Sequence, residues 1–350
     1  MISYTPLPTF SELVHGAGVS AENGDRIAAA WARNQQHVTW LTSGTWALER
    51  AVRAVTSRPA NIWFPAYFCN QPLAPIRFNG NAQLIFYPIR SDLEPDWDAC
   101  RRLARSSPPA LFVLVHYFGR ASNGPAAREF ASAHGATLVE DAAHALRPIA
   151  GIGESGDVVF YSCHKLLPVP DGCVAIARDP KALAADAHPA PAFGGRRISL
   201  WMSKRILQKM RVGEIFGRAR GATRESFLDD PSSGPPRPHT AISRFSLRLL
   251  GRFDLADIAA RRRENHRLLA AALADIPDAR VLEISRDETP YRLLLHCTGP
   301  EIAATLYGRL RQNGLLVESW PDLPPEVVSS AVAHAGALAL TQGAFFGLGA

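Results

Sequence analysis

Between Asn61 and Arg178 the chain carries six short apolar runs: "NIWFPAY", "AQLIFYPI", "ALFVLVHYFG", "ATLVEDAAHAL", "GDVVFYSC" and "GCVAIAR". The segment Ala110 to Val115 is apolar at every position. It has no polar face to offer water, so it suits a strand covered on both sides. Helical stretches such as "DWDACRRLARSS" and "GPAAREFASAHG" separate these runs. Strands alternating with helices predict an α/β fold, a mostly parallel sheet flanked by helices. The length of 350 residues allows a large core with a smaller companion domain.

The stretch "SGTWALERAVRAV" places Trp46, Leu48, Val52 and Val55 near helical spacing, with Ser43 available as a cap. It opens a large domain over residues 41–228. An N-terminal arm and one helix, "SAENGDRIAAAWARN", occupy 1–40. "DDPSSGPPRPH", residues 229–239, has the composition of a linker. From 240 to 350 a long helical pattern, "DLADIAARRRENHRLLAAALADI", leads into strand, strand, helix, strand. This last part reads as a small α/β domain.

Several classes of protein are disfavoured. No apolar run approaches the ~20 residues that span a bilayer. The first residues lack a basic segment followed by an apolar one, so a cytoplasmic protein without membrane insertion is expected. Cys69, Cys100, Cys163, Cys173 and Cys297 are odd in number and scattered, with no C-x-x-C pair. Free thiols are expected, rather than a metal site or a disulfide framework. The net charge of +6 is concentrated at Arg196, Arg197, Lys204, Arg205, Lys209, Arg211, Arg218, Arg220 and Arg224. No nucleic-acid motif accompanies that run. It reads as a solvated face, or as a contact for a phosphate-bearing small molecule.

Against that arginine excess, the only lysines are Lys165, Lys181, Lys204 and Lys209. Lys165 stands at the end of the strand-like "GDVVFYSC". Arginine would supply the same charge, but not an amine that can lose its proton and attack a carbonyl. Upstream, "ATLV" runs into Glu140 and Asp141 with His144 close behind. Ligands of open α/β sheets bind beyond the carboxyl ends of strands, and an acid there can hold a protonated ring nitrogen or simply cap a turn. "SGTWAL" offers Gly44 and Thr45 at a helix N-terminus, which suits a phosphate or a plain cap. "GIGESG", Gly151 to Gly156, matches the dinucleotide pattern G-x-G-x-x-G, but a strand follows it where a helix is required. A phosphate site, an acid for a ring nitrogen, a lysine for an aldehyde and Ser162 as a further phosphate contact together fit pyridoxal phosphate.

The order "SGTWAL", "PAYFCN", "FVLVHYFG", "ATLVEDAAHAL", "GDVVFYSCHK" resembles the DegT/DnrJ/EryC1/StrS family of sugar aminotransferases over about residues 40–180. A weaker likeness covers 241–320. The resemblance implies a homodimeric fold-type I pyridoxal-phosphate enzyme. It implies transfer of an amino group, from a donor such as glutamate, to a keto group of a nucleotide-linked sugar for polysaccharide or secondary-metabolite synthesis. By position, Lys165 would hold the cofactor covalently, Asp141 would pair with its ring nitrogen, and His144 falls at a Gln/His position beside it. Gly44, Thr45, Trp46 and Ser162 would bind the phosphate. Tyr67 or Phe68 would stack on the ring, and Arg244 would reach the partner subunit's cofactor. No metal is implied.

Four features depart from the family pattern. "SCHK" is two residues shorter than S-F-H-x-T-K, and "PDGC" puts Cys173 where a glycine is usual. "ISR" replaces N-Y-R, and the chain ends in "LALTQGAFFGLGA", without the usual final helix, so a shortened small domain is expected. Two alternative readings follow. One is a keto-sugar dehydratase, in which histidine replaces the lysine, and His164 adjoins Lys165 here. The other is a catalytically degenerate member that binds a sugar nucleotide or a partner.

Overall fold

The computed structural model describes residues 7–17, 24–33, 36–184, 195–210, 241–277, 279–298, 300–313, 317–319, 323–328 and 345–349. Seven strands build the larger sheet: β1 (His37–Leu41), β2 (Ala60–Pro65), β3 (Ala82–Tyr87), β4 (Leu111–Val115), β5 (Thr137–Asp141), β6 (Val158–Tyr161) and β7 (Cys173–Ala177). Their order is β1-β7-β6-β5-β4-β2-β3. Neighbours from β3 across to β6 are parallel, and only β7 runs the other way, antiparallel to β6 and to β1. This is the mostly parallel α/β sheet expected from the alternation of apolar runs.

Alternation along the strands divides the core into two layers. Val158 and Phe160 of β6, with Cys173, Ala175 and Ala177 of β7, pack with Ala47, Leu48, Ala51 and Val52 of the Gly44–Val55 helix. Val159, Tyr161, Val174 and Ile176 face the other way, onto Trp31, Ile198, Phe245 and Leu249. β4 is buried at all five positions, as its unbroken apolar sequence requires.

A second, antiparallel sheet contains β8 (Ala279–Val281), β9 (Arg292–Cys297), β10 (Val317–Ser319) and β11 (Phe345–Gly349), in the order β10-β11-β9-β8. Its core includes Leu293, Leu295, Ala303, Leu306 and Leu310, backed by Leu269 and Ala270 of the Leu255–Ala272 helix. Asp254 caps that helix by accepting from the Ala256 and Asp257 amides.

Several expectations are corrected. Residues 37–40, expected in the N-terminal arm, join Leu41 in the large sheet. They form edge strand β1, whose alternating pattern is only partly buried and so gives a weak signal. In "SAENGDRIAAAWARN" the described helix covers only Gly24–Ala28. Ser43 occupies the N-cap position of the Gly44–Val55 helix, but its hydroxyl makes no capping hydrogen bond. The final stretch supplies β11, which lies inside the second sheet. The linker at 229–239 and Arg211 to Arg224 fall outside the described residues. Among the described residues no helix is long and apolar enough to cross a membrane, and no group of three or more His, Cys, Asp or Glu residues could hold a metal ion. The five cysteines are free.

Candidate active site

β1, β2, β4, β5 and β6 all end at the same edge of the large sheet, so the residues that follow them share that edge. Two sequence-predicted residues, Lys165 and His144, meet there directly, and a third, Asp141, lies close enough to feel the charge of Lys165. Lys165 Nζ lies 3.0 Å from His144 Nε2. Asp141, the last residue of β5, is buried, and its Oδ1 accepts the Ala143 amide at 2.9 Å. Burial raises the Asp141 carboxyl above the ordinary range, opposed by the charge of nearby Lys165 and by the Ala143 amide. Burial, first, holds the His144 imidazole well below its usual value, and any positive charge on Lys165 or Arg292 lowers it further.

The shortened turn before Lys165 is a single helical turn, Cys163–Leu166, with the Lys165 amide on the Ser162 carbonyl at 3.0 Å. Two residues fewer than the family pattern still deliver the amine to His144. His164 faces elsewhere. Its Nδ1 donates to the Gly172 carbonyl at 3.1 Å, and burial lowers its pKa to about 4 despite that acceptor. Gly172 in turn donates to the Thr42 carbonyl at 2.9 Å. The loop after Lys165 is thereby tied to the segment before Gly44.

Gly44 and Ser162 form a cradle. A Cβ at Gly44 would sit 2.8 Å from Ser162 Oγ and 2.7 Å from Phe160 Cε2, so only glycine fits. Ser162 is buried, Thr45 and Trp46 are half-buried, and the Trp46 amide donates to the Ser43 carbonyl. The uncapped mouth of a 12-residue helix beside a buried hydroxyl suits a phosphate. With Lys165 and Asp141 nearby, the residues present fit pyridoxal phosphate.

The two aromatic candidates diverge. The Tyr67 ring packs 5.8 Å from Tyr117, whose hydroxyl donates to the Tyr67 carbonyl, while Phe68 packs 5.2 Å from Phe64. The rings that stack with His144 are Phe118, at 5.4 Å, and Tyr291, at 4.4 Å and 13°. Neither was singled out from sequence. Phe118 lies within the quoted "FVLVHYFG", but Tyr291 comes from the segment leading into β9, and no local pattern links it to His144. Arg244 is exposed at the start of the Arg244–Leu250 helix. The carboxylate of buried Asp171 accepts from the Ser243 amide and from the Ser243 and Ser246 hydroxyls, which fixes that helix to the loop after Lys165.

Glu140 points away from this cluster. It accepts from His116 Nε2 at 2.7 Å and from the amides of Gly153, Ser155 and Gly156. Burial opposes its charge, yet the His116 contact and those amides hold its carboxyl below the ordinary value. The glycine-rich "GIGESG" therefore binds a carboxylate of its own chain.

The seven-stranded, mostly parallel sheet flanked by helices is that of the fold-type I class of pyridoxal-phosphate transferases. Residues 18–188 match the model of the DegT/DnrJ/EryC1/StrS aminotransferase family, whose cofactor is pyridoxal phosphate. Solved structures agree in fold. The aminotransferase TlmJ from Streptoalloteichus hindustanus is 17% identical with a TM-score of 0.68, covering 99% of this chain and 93% of its own. PseC of Helicobacter pylori, an aminotransferase of pseudoaminic acid biosynthesis, is 12% identical with a TM-score of 0.63, covering 98% and 86%. The GDP-4-keto-6-deoxymannose-3-dehydratase ColD is 13% identical with a TM-score of 0.64, covering 93% and 87%. No curated protein sequence matches the chain.

Proposed function

We propose that this chain is a cytoplasmic, homodimeric aminotransferase that moves an amino group, from glutamate or a similar donor, to the keto group of a nucleotide-linked sugar. The observation that carries the reading is the convergence of Lys165, His144 and Asp141 at one strand-end edge, with the Gly44–Ser162 cradle at the same edge. When bound, pyridoxal phosphate supplies an aldehyde that captures amines and a ring that withdraws electrons.

The remaining work falls to the chain. Gly44, Thr45 and Ser162 hold the phosphate. Asp141, buried and carboxylate-bearing, keeps a proton on the ring nitrogen. Lys165 anchors the cofactor, and its Nζ then takes up and returns the proton moved at the substrate carbon. His144, with Phe118 and Tyr291 stacked on it, limits water on that side. Exposed Arg196, Arg197 and Lys204 on the Gly195–Lys209 helix are candidates for the diphosphate. Arg244, exposed on its own chain, is the candidate contact for the partner's cofactor phosphate. The family match over residues 18–188 and the sugar-nucleotide chemistry named for the structural neighbour ColD support the substrate class.

Cofactor addition to the purified protein should produce a visible absorption band, and borohydride reduction should fix a label on Lys165. Glutamate and candidate keto-sugar nucleotides should then yield an amino sugar. Absence of the band would leave only the degenerate binding reading. A dehydratase would release water and form no amino sugar. The orientation of His164 onto the Gly172 carbonyl, while Lys165 reaches His144, favours the transaminase.

A further inference from the structure

We propose that the Gly195–Lys209 helix, together with the Phe10–Gly16 helix, is a docking surface for an anionic lipid bilayer. Eight large apolar side chains are exposed among the described residues, and six of them lie on or next to these two helices. Leu200, Leu207 and Met210 are 60%, 51% and 62% exposed, and Phe10 and Val14 are 58% and 74% exposed. Exposed leucines scattered singly need no explanation, but their concentration on two helices does.

Both helices rest on one ring. A Cβ on Gly16 would lie 2.7 Å from Phe245 Cε2, so the shorter helix sits directly against that side chain. Trp201 of the longer helix meets the same ring edge-on at 5.9 Å. Buried Ile198, with half-buried Trp201, Met202 and Ile206, fixes which side of the longer helix turns inward. Leu200, Lys204 and Leu207 follow the i, i+4, i+7 spacing of the opposite face and are exposed.

Charge decides the occupant. Residues 195–213 hold Arg196, Arg197, Lys204, Arg205, Lys209 and Arg211 and no acid. Arg196, Arg197 and Lys204 are exposed around the leucines, while the Arg205 guanidinium lies over the Trp201 ring, 5.4 Å from its centre. Glu12, the acid of the shorter helix, is engaged in that helix's own capping box with Thr9. A second copy of this surface would therefore set like charges against each other. The same cations are candidates for a sugar nucleotide's diphosphate, but a soluble diphosphate or a nucleic acid leaves the leucines in water. An anionic bilayer uses both sets: headgroup phosphates meet the cations, and the acyl boundary takes the apolar side chains. The helices lie along such a surface and do not cross it.

The test is vesicle co-sedimentation of the full-length protein without cofactor, so its result is independent of the transfer assay. The protein should sediment with vesicles of equal phosphatidylglycerol and phosphatidylcholine about tenfold more strongly than with phosphatidylcholine alone, and less as salt rises. Leu200→Ser combined with Leu207→Ser should weaken that binding about tenfold, as should Arg196→Glu combined with Arg197→Glu. Circular-dichroism melts check that the variants fold, and if one pair does not, the other decides. Failure of the wild type to sediment with the anionic vesicles overturns the proposal. So does binding that survives the serine substitutions, which would leave a phosphate contact alone. An RNA duplex bound as tightly as the vesicles would show a nucleic-acid surface instead. A dimer that the serine substitutions convert to monomer, read by light scattering, would put a second copy on this face; either result overturns the lipid assignment.

Discussion

Glu140 and Asp141 are neighbours on β5 that face opposite sides of the sheet, and they meet opposite surroundings. Glu140 is saturated, with a histidine and three loop amides on one carboxylate. Asp141 receives the Ala143 amide and lies near the Lys165 amine. One carboxyl is held below its ordinary value and the other is raised. The difference teaches how to separate a structural acid from a reactive one. A buried charge given every donor it can use stabilises the fold. A buried charge kept short of donors and placed beside an amine is poised to act.

Four measurements can break or sharpen that contrast. The largest effect is expected for Glu140→Ala, which strands His116 and the Gly153–Gly156 amides and should lower unfolding free energy by about 3–5 kcal/mol in denaturant titrations. Asp141→Asn should behave in the opposite way, changing stability by less than about 1 kcal/mol. Its amine transfer should drop about 100-fold, about 2.7 kcal/mol of lost electrostatic support. An unfolded Asp141→Asn, or an unharmed Glu140→Ala, would erase the distinction.

Gly44→Ala should weaken cofactor binding by about 1–3 kcal/mol, because the added methyl meets Ser162 Oγ and Phe160; titration of the visible band reads it. The smallest effect concerns His164. Its folded pKa, about 4, lies below the unfolded value of about 6.5, so the unfolded chain takes the proton first. Its contribution is complete above about 6.5 and is lost as pH falls towards 4. Thermal melts between about pH 6.5 and 5.5 should show about 1 kcal/mol of loss that His164→Asn abolishes.

Much of the large sheet was legible because its central strands are buried on both faces and so read as unbroken apolar runs. β1 was not, since an edge strand needs no such run. The site was legible where chemistry restricts the residue: a lone lysine at a strand end, an acid after "ATLV", and a glycine at a helix mouth. It was hidden where geometry alone decides. No residue pattern marks Phe118 for a left-handed backbone. Tyr291 meets His144 from 147 positions away in the sequence. Tyr67 and Phe68, the aromatics that the resemblance implies for the ring, pack against Tyr117 and Phe64.

The Gly151–Gly156 loop carries a wider consequence. As letters, "GIGESG" spells a nucleotide fingerprint. As a shape, it is a socket of inward amides whose plug, Glu140, was laid down earlier in the same chain. Glycine-rich signatures therefore report a backbone able to surround an anion, and whether that anion arrives from solution is decided by the strand beside it.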